Sequence, residues 1–184
     1  MKKAKNKYPG VITLSGLPGS GKSTTAKALA RKLGYDYFTV GRLLRKLAQK
    51  QGKSLLEMSK EAEKDHSIDE FLDCQMARYV KKNKNVIVDG RIVAWILDRA
   101  GIDSYHVWLE APRTVRSKRV AIRDRLSEKK AYRDTTKREL SEKKRYKMVY
   151  GIDIEDLSIY DLVVNTKDSP PKDVLNQIME GIKS

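Results

Sequence analysis

The sequence is poor in cysteine and histidine and has no long apolar run. Its one cysteine, Cys74, cannot form an internal disulfide bond, and it cannot by itself build a zinc site of several cysteines. No segment approaches the length of about 18 apolar residues that a membrane-spanning helix needs. No secretory signal sequence is recognisable near the start. We therefore expect a cytoplasmic protein without a membrane association.

Acidic residues are also scarce relative to basic ones. The chain has 39 Lys and Arg against 24 Asp and Glu among 184 residues, a formal net charge of +15. Residues 116–147 alone contain fourteen basic and five acidic side chains. Such a charge favours anionic partners, which include nucleotides, nucleic acid and acidic lipid, but it does not choose among them.

Short apolar runs alternate with segments of helical periodicity along the chain. Strands are predicted near residues 11–14, 35–40, 86–88, 105–109 and 162–164. A long basic helical region should cover residues 112–150, with a break near 127–132. Capping boxes at Ser54 with Glu57, and at Ser67 with Glu70, predict two helix starts. The alternation predicts an α/β domain with a parallel sheet flanked by helices.

A glycine-rich phosphate loop follows the first predicted strand and precedes a helix. Residues 16–23 fit the pattern G-x-x-x-x-G-K-[ST]. Glycines let successive backbone N–H groups turn towards phosphate oxygens, and the helix N-terminus adds positive potential. The nucleotide-binding residues predicted here are Gly16, Leu17, Pro18, Gly19, Ser20, Gly21, Lys22, Ser23 and Thr24. Lys22 should reach the β- and γ-phosphates of ATP, and Ser23 should ligate Mg²⁺, with Asp89 contributing through water.

The remaining motifs restrict the class of P-loop protein. No N-K-x-D guanine motif occurs, and the chain is too short for a helicase core, which leaves a small phosphotransferase. Arg119 and Arg123 share a helix face, as do Arg138, Glu142 and Arg145. Guanidinium groups bind phosphate oxygens with paired hydrogen bonds, so these arginines are candidates for contacting a transferring phosphoryl group.

Four segments together resemble archaeal-type cytidylate kinases: residues 16–21, 41–45, 88–95 and 138–166. The resemblance covers nearly the whole chain. It implies an adenylate-kinase-like P-loop NTPase fold with a five-stranded parallel sheet, as a single domain over 1–184. It further implies an acceptor-binding lobe at about 39–83 and a helical LID at about 116–140.

The resemblance also implies a role for individual residues. Arg45 would contact the α-phosphate of the acceptor nucleotide, and Arg91 would meet its phosphate and base. Asp89, two residues before Arg91, is also a predicted substrate-binding residue. Arg119 and Arg123 would clamp the transferring phosphate. The set of Arg138, Glu142 and Arg145 would hold ribose and phosphates. Lys22, Arg119, Arg123, Arg138 and Arg145 are thus the predicted catalytic residues.

The leading functional prediction is phosphoryl transfer from ATP, with Mg²⁺, to CMP or dCMP. Two alternatives stay open at this point. One is another small-molecule kinase, such as an adenylate kinase. The other is an RNA-associated P-loop NTPase, which the net charge favours, although no RNA-binding motif accompanies it. We expect a monomer whose partners are small nucleotides rather than nucleic acid or membranes.

Overall fold

The computed structural model describes residues 8–183, which fold into five strands and eight α-helices. The first half consists of β1 (Val11–Ser15), α1 (Lys22–Leu33), β2 (Asp36–Thr39), α2 (Val40–Lys50), α3 (Leu55–Glu61) and α4 (Ser67–Lys82). The second half consists of β3 (Val86–Asp89), α5 (Val93–Arg99), β4 (Tyr105–Glu110), α6 (Arg113–Asp124), α7 (Glu128–Tyr150), β5 (Leu162–Asn165) and α8 (Pro171–Gly181). Within residues 8–183, no helix is long and apolar enough to cross a membrane.

All five strands are parallel and form one sheet in the order β2-β3-β1-β4-β5. The inner strands β1 and β3 are buried along their whole length, as a sheet covered on both faces requires. Ile12 and Leu109 of the sheet pack with Leu29 of α1 and Ile178 of α8 in the largest apolar cluster. The predicted five-stranded parallel α/β fold is confirmed.

The strand order places the phosphate loop at the centre of the sheet. β1 lies between β3 and β4: the connection after β1 leads to β2 on one side of it, whereas the connection after β3 crosses to β4 on the other side. In sheets of this kind ligands bind beyond the carboxyl ends of the strands at such a switch point. The loop after β1, Asp89 at the end of β3 and Glu110 at the end of β4 all lie at this edge.

Helices begin at both predicted starts, but a capping box forms at only one of them. Ser54 and Glu57 exchange both hydrogen bonds of a capping box before α3. Ser67, in contrast, is already the first residue of α4, and its N–H donates to Asp65 Oδ1 at 3.0 Å. Asp65 thus accepts the bond from the Ser67 N–H that the capping box assigned to the Glu70 side chain.

The break in the basic helical region lies earlier than predicted. α6 ends at Asp124 because Arg125 adopts a left-handed conformation with φ of 54°. The side chain of Ser127 then accepts from Lys130 N and caps α7, which continues without interruption to Tyr150. Gly151, with φ of 65°, ends this helix.

Candidate active site

The phosphate loop wraps around the amino group of Lys22. Gly19 has φ of 80°, and a side chain there would collide with the backbone carbonyl of Arg116 on α6. The buried Lys22 Nζ donates to Leu17 O at 2.8 Å and to Ser20 Oγ at 3.3 Å. Burial, as the main cause, and the charge of Arg91, as the second, hold the pKa of Lys22 well below its usual range. A bound phosphate would supply the negative charge that this ammonium needs.

Ser23 and Asp89 are the groups that could contact a divalent cation. Ser23 is exposed on the first turn of α1, while Asp89 is buried at the end of β3 and accepts from Tyr37 Oη at 2.8 Å. Within residues 8–183, no group of three or more His, Cys, Asp or Glu side chains could hold a metal. One hydroxyl and one carboxylate suit Mg²⁺ that arrives with nucleotide phosphates and keeps several of its waters.

One cavity of about 870 Å³ brings most of the predicted site residues together. Its wall includes Pro18, Gly19, Gly21, Lys22, Ser23, Thr24, Arg45, Asp89, Arg91, Arg119, Arg123, Arg138, Glu142 and Arg145. Gly16, Leu17 and Ser20 belong to the same loop but do not line this cavity. At one end lie Thr166, Pro171 and Val174, and at the other lie residues of α3 and α4. A cavity of this volume, which extends from the phosphate loop to α3 and α4, has room for two ligands.

Glu142 lies between two arginines in the cavity wall. Its Oε2 is 2.8 Å from Arg91 Nε, and its Oε1 is 2.8 Å from Arg138 Nε. Glu142 is 1% exposed, and burial alone would raise its pKa. The two guanidinium charges outweigh that effect and lower the pKa of Glu142 to about 2. The sequence resemblance implied that Glu142 binds the ribose, but in the structure both of its carboxylate oxygens face guanidinium groups.

Arg145 is held by contacts with α3 and α4, on the acceptor side of the cavity. Its Nε lies 2.8 Å from Asp69 Oδ2 on α4, and one terminal nitrogen donates to Ser59 O on α3 at 2.9 Å. The guanidinium also lies 5.0 Å from the ring of Tyr146. Arg145 thus joins α7 to α3 and α4, two of the three helices of the predicted acceptor lobe. Fewer of its donors face the cavity than the spacing suggested.

The three other predicted arginines differ in how firmly they are held. Arg119 donates to the hydroxyl and the carbonyl of Thr166, at 3.0 and 2.6 Å. Arg123 is exposed and pairs with its neighbour Asp124, and Arg45 is also exposed. Partial desolvation of its guanidinium, and then the charge of Arg123, lower the pKa of Arg45. These two guanidinium groups repel each other, and an anion between them would relieve that repulsion.

Arg116 is an important residue that sequence analysis missed. It is 4% exposed and forms a buried ion pair with Glu139 of α7. It also donates to Ala111 O at 2.8 Å and to Pro18 O in the phosphate loop at 3.2 Å. These contacts fix α6 and α7 to the loop, at the two ends of the predicted LID segment. Nothing in the sequence distinguished Arg116 from the many solvated basic residues around it.

A second missed group is acidic and lies on α4. Asp69 and Asp73 are four residues apart and face the cavity, within an apolar stripe that includes Ile68 and Leu72. Tyr150 Oη donates to Asp73 Oδ2 at 2.7 Å. The signal was available in the sequence, because acidic residues on the apolar face of an amphipathic helix need a partner or a ligand.

Replacing Glu142 with Gln should destabilise the protein. We expect Glu142→Gln to lower the free energy of unfolding by about 3–5 kcal/mol, because two buried guanidinium groups lose their counter-charge. Denaturant unfolding at neutral pH measures this. Because the pKa of Glu142 is lowered in the folded state to about 2, the wild type has the full contribution above about pH 4.3 and loses it as pH falls through about 2. Once Glu142 is protonated, near pH 2, the wild type and Glu142→Gln should have similar free energies of unfolding.

Glu155→Gln is the matched control. Glu155 pairs with Lys143 at the surface, so its loss should cost less than about 1 kcal/mol. Equal stability of Glu142→Gln and Glu155→Gln would contradict the central role of the Glu142 ion pairs.

Comparison with solved structures identifies the fold. The chain superposes on a gluconokinase from Sinorhizobium meliloti with a TM-score of 0.63 and 16% identity, covering 95% of this chain and 92% of that one. It superposes on a shikimate kinase from Acinetobacter baumannii, solved in complex with shikimate, with a TM-score of 0.59 and 16% identity, covering 94% and 92%. At this identity the likeness concerns the fold alone, which is that of small P-loop kinases.

Comparison of sequences is more specific. The chain is 41% identical to a cytidylate kinase of Sulfurisphaera tokodaii over 171 residues, covering 93% of each protein. It is 39% identical to a cytidylate kinase of Methanocaldococcus jannaschii over 173 residues, covering 94% of this chain and 97% of that one. Residues 11–168 match the model of the cytidylate kinase-like family. The chain therefore belongs to the cytidylate kinase-like family.

Proposed function

We propose that this protein transfers the γ-phosphoryl group of ATP to CMP, giving ADP and CDP. The observation that carries the proposal is that one cavity is lined both by the P-loop lysine, Lys22, and by the Arg91–Glu142–Arg138 cluster. The two similar proteins described above are named cytidylate kinases. ATP would take the end near Thr166 and Pro171, and CMP the end formed by α3 and α4.

Phosphoryl transfer needs positive charge on several sides of the transferring group. Lys22 would neutralise the β- and γ-phosphates of ATP, while Arg91 and Arg138 would hold the acceptor phosphate through the N–H groups that Glu142 leaves free. Glu142 fixes both guanidinium planes before substrate arrives, so little reorganisation is needed during reaction. Arg45 and Arg123, which repel each other without ligand, would close on the phosphates from the acceptor lobe and the LID.

The reaction needs no general base. The nucleophile is a phosphate oxygen of CMP, which is largely ionised at neutral pH because the second pKa of a phosphate monoester is about 6. No histidine lines the cavity among the residues that the structure describes. Positioning and charge neutralisation therefore account for catalysis.

Mg²⁺ fits the same arrangement as a companion of ATP. Ser23 and Asp89 would hold it, directly and through water, and it would offset charge on the β- and γ-phosphates. Tyr37, which donates to Asp89, would keep that carboxylate in place. The movable LID, the use of dCMP, the monomeric state and the cytoplasmic location remain predictions.

The acceptor preference tests the proposed function directly. With ATP and Mg²⁺, CMP should give a higher kcat/KM than AMP in a coupled assay of ADP formation, because a wrong base leaves buried polar groups unpaired. AMP as the better acceptor would support the adenylate kinase alternative. ATP hydrolysis stimulated by RNA, without transfer to any nucleoside monophosphate, would support the RNA-associated alternative instead.

Lys22→Ala tests the role of the phosphate loop. Turnover of CMP should fall on the order of 100-fold or more, because charge that develops on the β- and γ-phosphates loses its nearest cation. Lys32→Ala is the control, since Lys32 is an exposed lysine of the same helix and does not line the cavity. A folded Lys22→Ala protein with near-native turnover would refute the assignment.

A further inference from the structure

Among residues 8–183, no cationic side chain pairs with the cavity-lining carboxylate of Asp73. Its neighbour Asp69, one helical turn earlier, is neutralised by Arg145 at 2.8 Å. In the described part of the chain, the one hydrogen bond of Asp73 comes from the neutral phenol of Tyr150. A carboxylate can accept about four hydrogen bonds, so Asp73 has capacity left on the side that faces the cavity.

The hydrogen bond of Asp73 to Tyr150, at the end of α7, places Asp73 away from the phosphates. Tyr150, its partner, follows Glu142 by eight residues on one continuous helix, which is about 12 Å at about 1.5 Å per residue. Arg138, Glu142, Tyr146 and Tyr150 all line the cavity, so α7 runs along it from the arginine cluster to Asp73. A nucleotide with its phosphate at the arginines would extend its base towards Asp73.

The surroundings of Asp73 suit a flat heterocycle. Met58, Ile68 and Leu72 supply apolar wall at this end of the cavity. Among these apolar groups, a charged carboxylate is favourable only if the ligand brings a hydrogen-bond donor to it. Cytosine carries such a donor, the exocyclic amino group at N4, and acidic side chains are its natural acceptors. Uracil has an oxygen acceptor at the same place, and two acceptors facing each other repel.

We infer that Asp73 is a specificity-determining residue that accepts a hydrogen bond from the N4 amino group of cytosine and so rejects UMP. This inference rests on the proposed function and adds the atom that selects the base. Asp73 would distinguish a base with an amino group at this position from a base with an oxygen there. It would not distinguish pyrimidines from purines, since adenine also carries an exocyclic amine. The informative comparison is therefore CMP with UMP.

The test measures kcat/KM for CMP and for UMP in the wild type, Asp73→Asn and Glu70→Gln. Glu70 is an exposed acidic residue of the same helix and does not line the cavity. Asp73→Asn should lower the CMP-to-UMP ratio by about tenfold or more, because an amide can donate to the uracil oxygen. Glu70→Gln should leave the ratio unchanged. A ratio within about twofold of the wild type in Asp73→Asn, or a parallel fall for both substrates, would overturn the inference.

The pH dependence of the ratio provides a second measurement that does not need Asp73→Asn to fold. Burial raises the pKa of Asp73 to about 6, and the hydrogen bond from Tyr150 opposes that rise. Below about pH 6 the protonated carboxyl can donate to uracil, so the wild-type ratio should fall there. Ionisation of the acceptor phosphate affects both substrates equally and cancels in the ratio.

Tyr150→Phe should shift this fall to higher pH, because it removes the bond that favours the charged form. The groups around the pair are Asp69 on α4, Arg145 and Tyr146 on α7, and Arg99 of α5, which donates to Tyr150 O. None of them is altered in this variant. A ratio independent of pH in the wild type and in Tyr150→Phe would overturn the inference while leaving the proposed function intact. Absence of CMP turnover by the wild type would overturn both.

Discussion

The ion pairs of Glu142 with Arg91 and Arg138 are the interaction on which the site depends. Two guanidinium groups in one buried place repel each other, and neither could be kept there without a shared anion. One carboxylate provides it, with an oxygen 2.8 Å from each Nε. The remaining N–H groups can then bind phosphate in a fixed orientation. The same contact joins the segment after β3 to α7, so site geometry and fold stability share one cause.

α7 connects the parts of the molecule that handle phosphate with those that surround the acceptor. Near its middle, Glu139 anchors Arg116 and through it the phosphate loop, and one turn later Glu142 orders the arginines. Towards its end, Arg145 and Tyr150 reach the acidic residues of α4. A single rigid helix thus sets the distance between the phosphates and the base.

Features encoded by adjacent residues could be predicted from the sequence, and features made by distant residues could not. The phosphate loop and the bounds of α1 follow from contiguous residues, and the strand pattern gave the sheet. Spacing put Arg138 within reach of Glu142, but Arg91 is 51 residues away, and only the fold brings it to the same carboxylate. For the same reason the spacing of Arg145 did not reveal Asp69. The second predicted capping box does not form, because Asp65 accepts the hydrogen bond of the Ser67 N–H in place of Glu70.

A crystal structure with a bisubstrate analogue, in which adenosine and cytidine are joined through a chain of phosphates, would show what Glu142 contacts when both substrate sites are filled. We expect Glu142 to stay between the Nε atoms of Arg91 and Arg138, while the phosphates bind Lys22 and the outer N–H groups of those arginines. Glu142 turned towards the sugar hydroxyls, with both arginines released from it, would contradict the proposed role of its ion pairs.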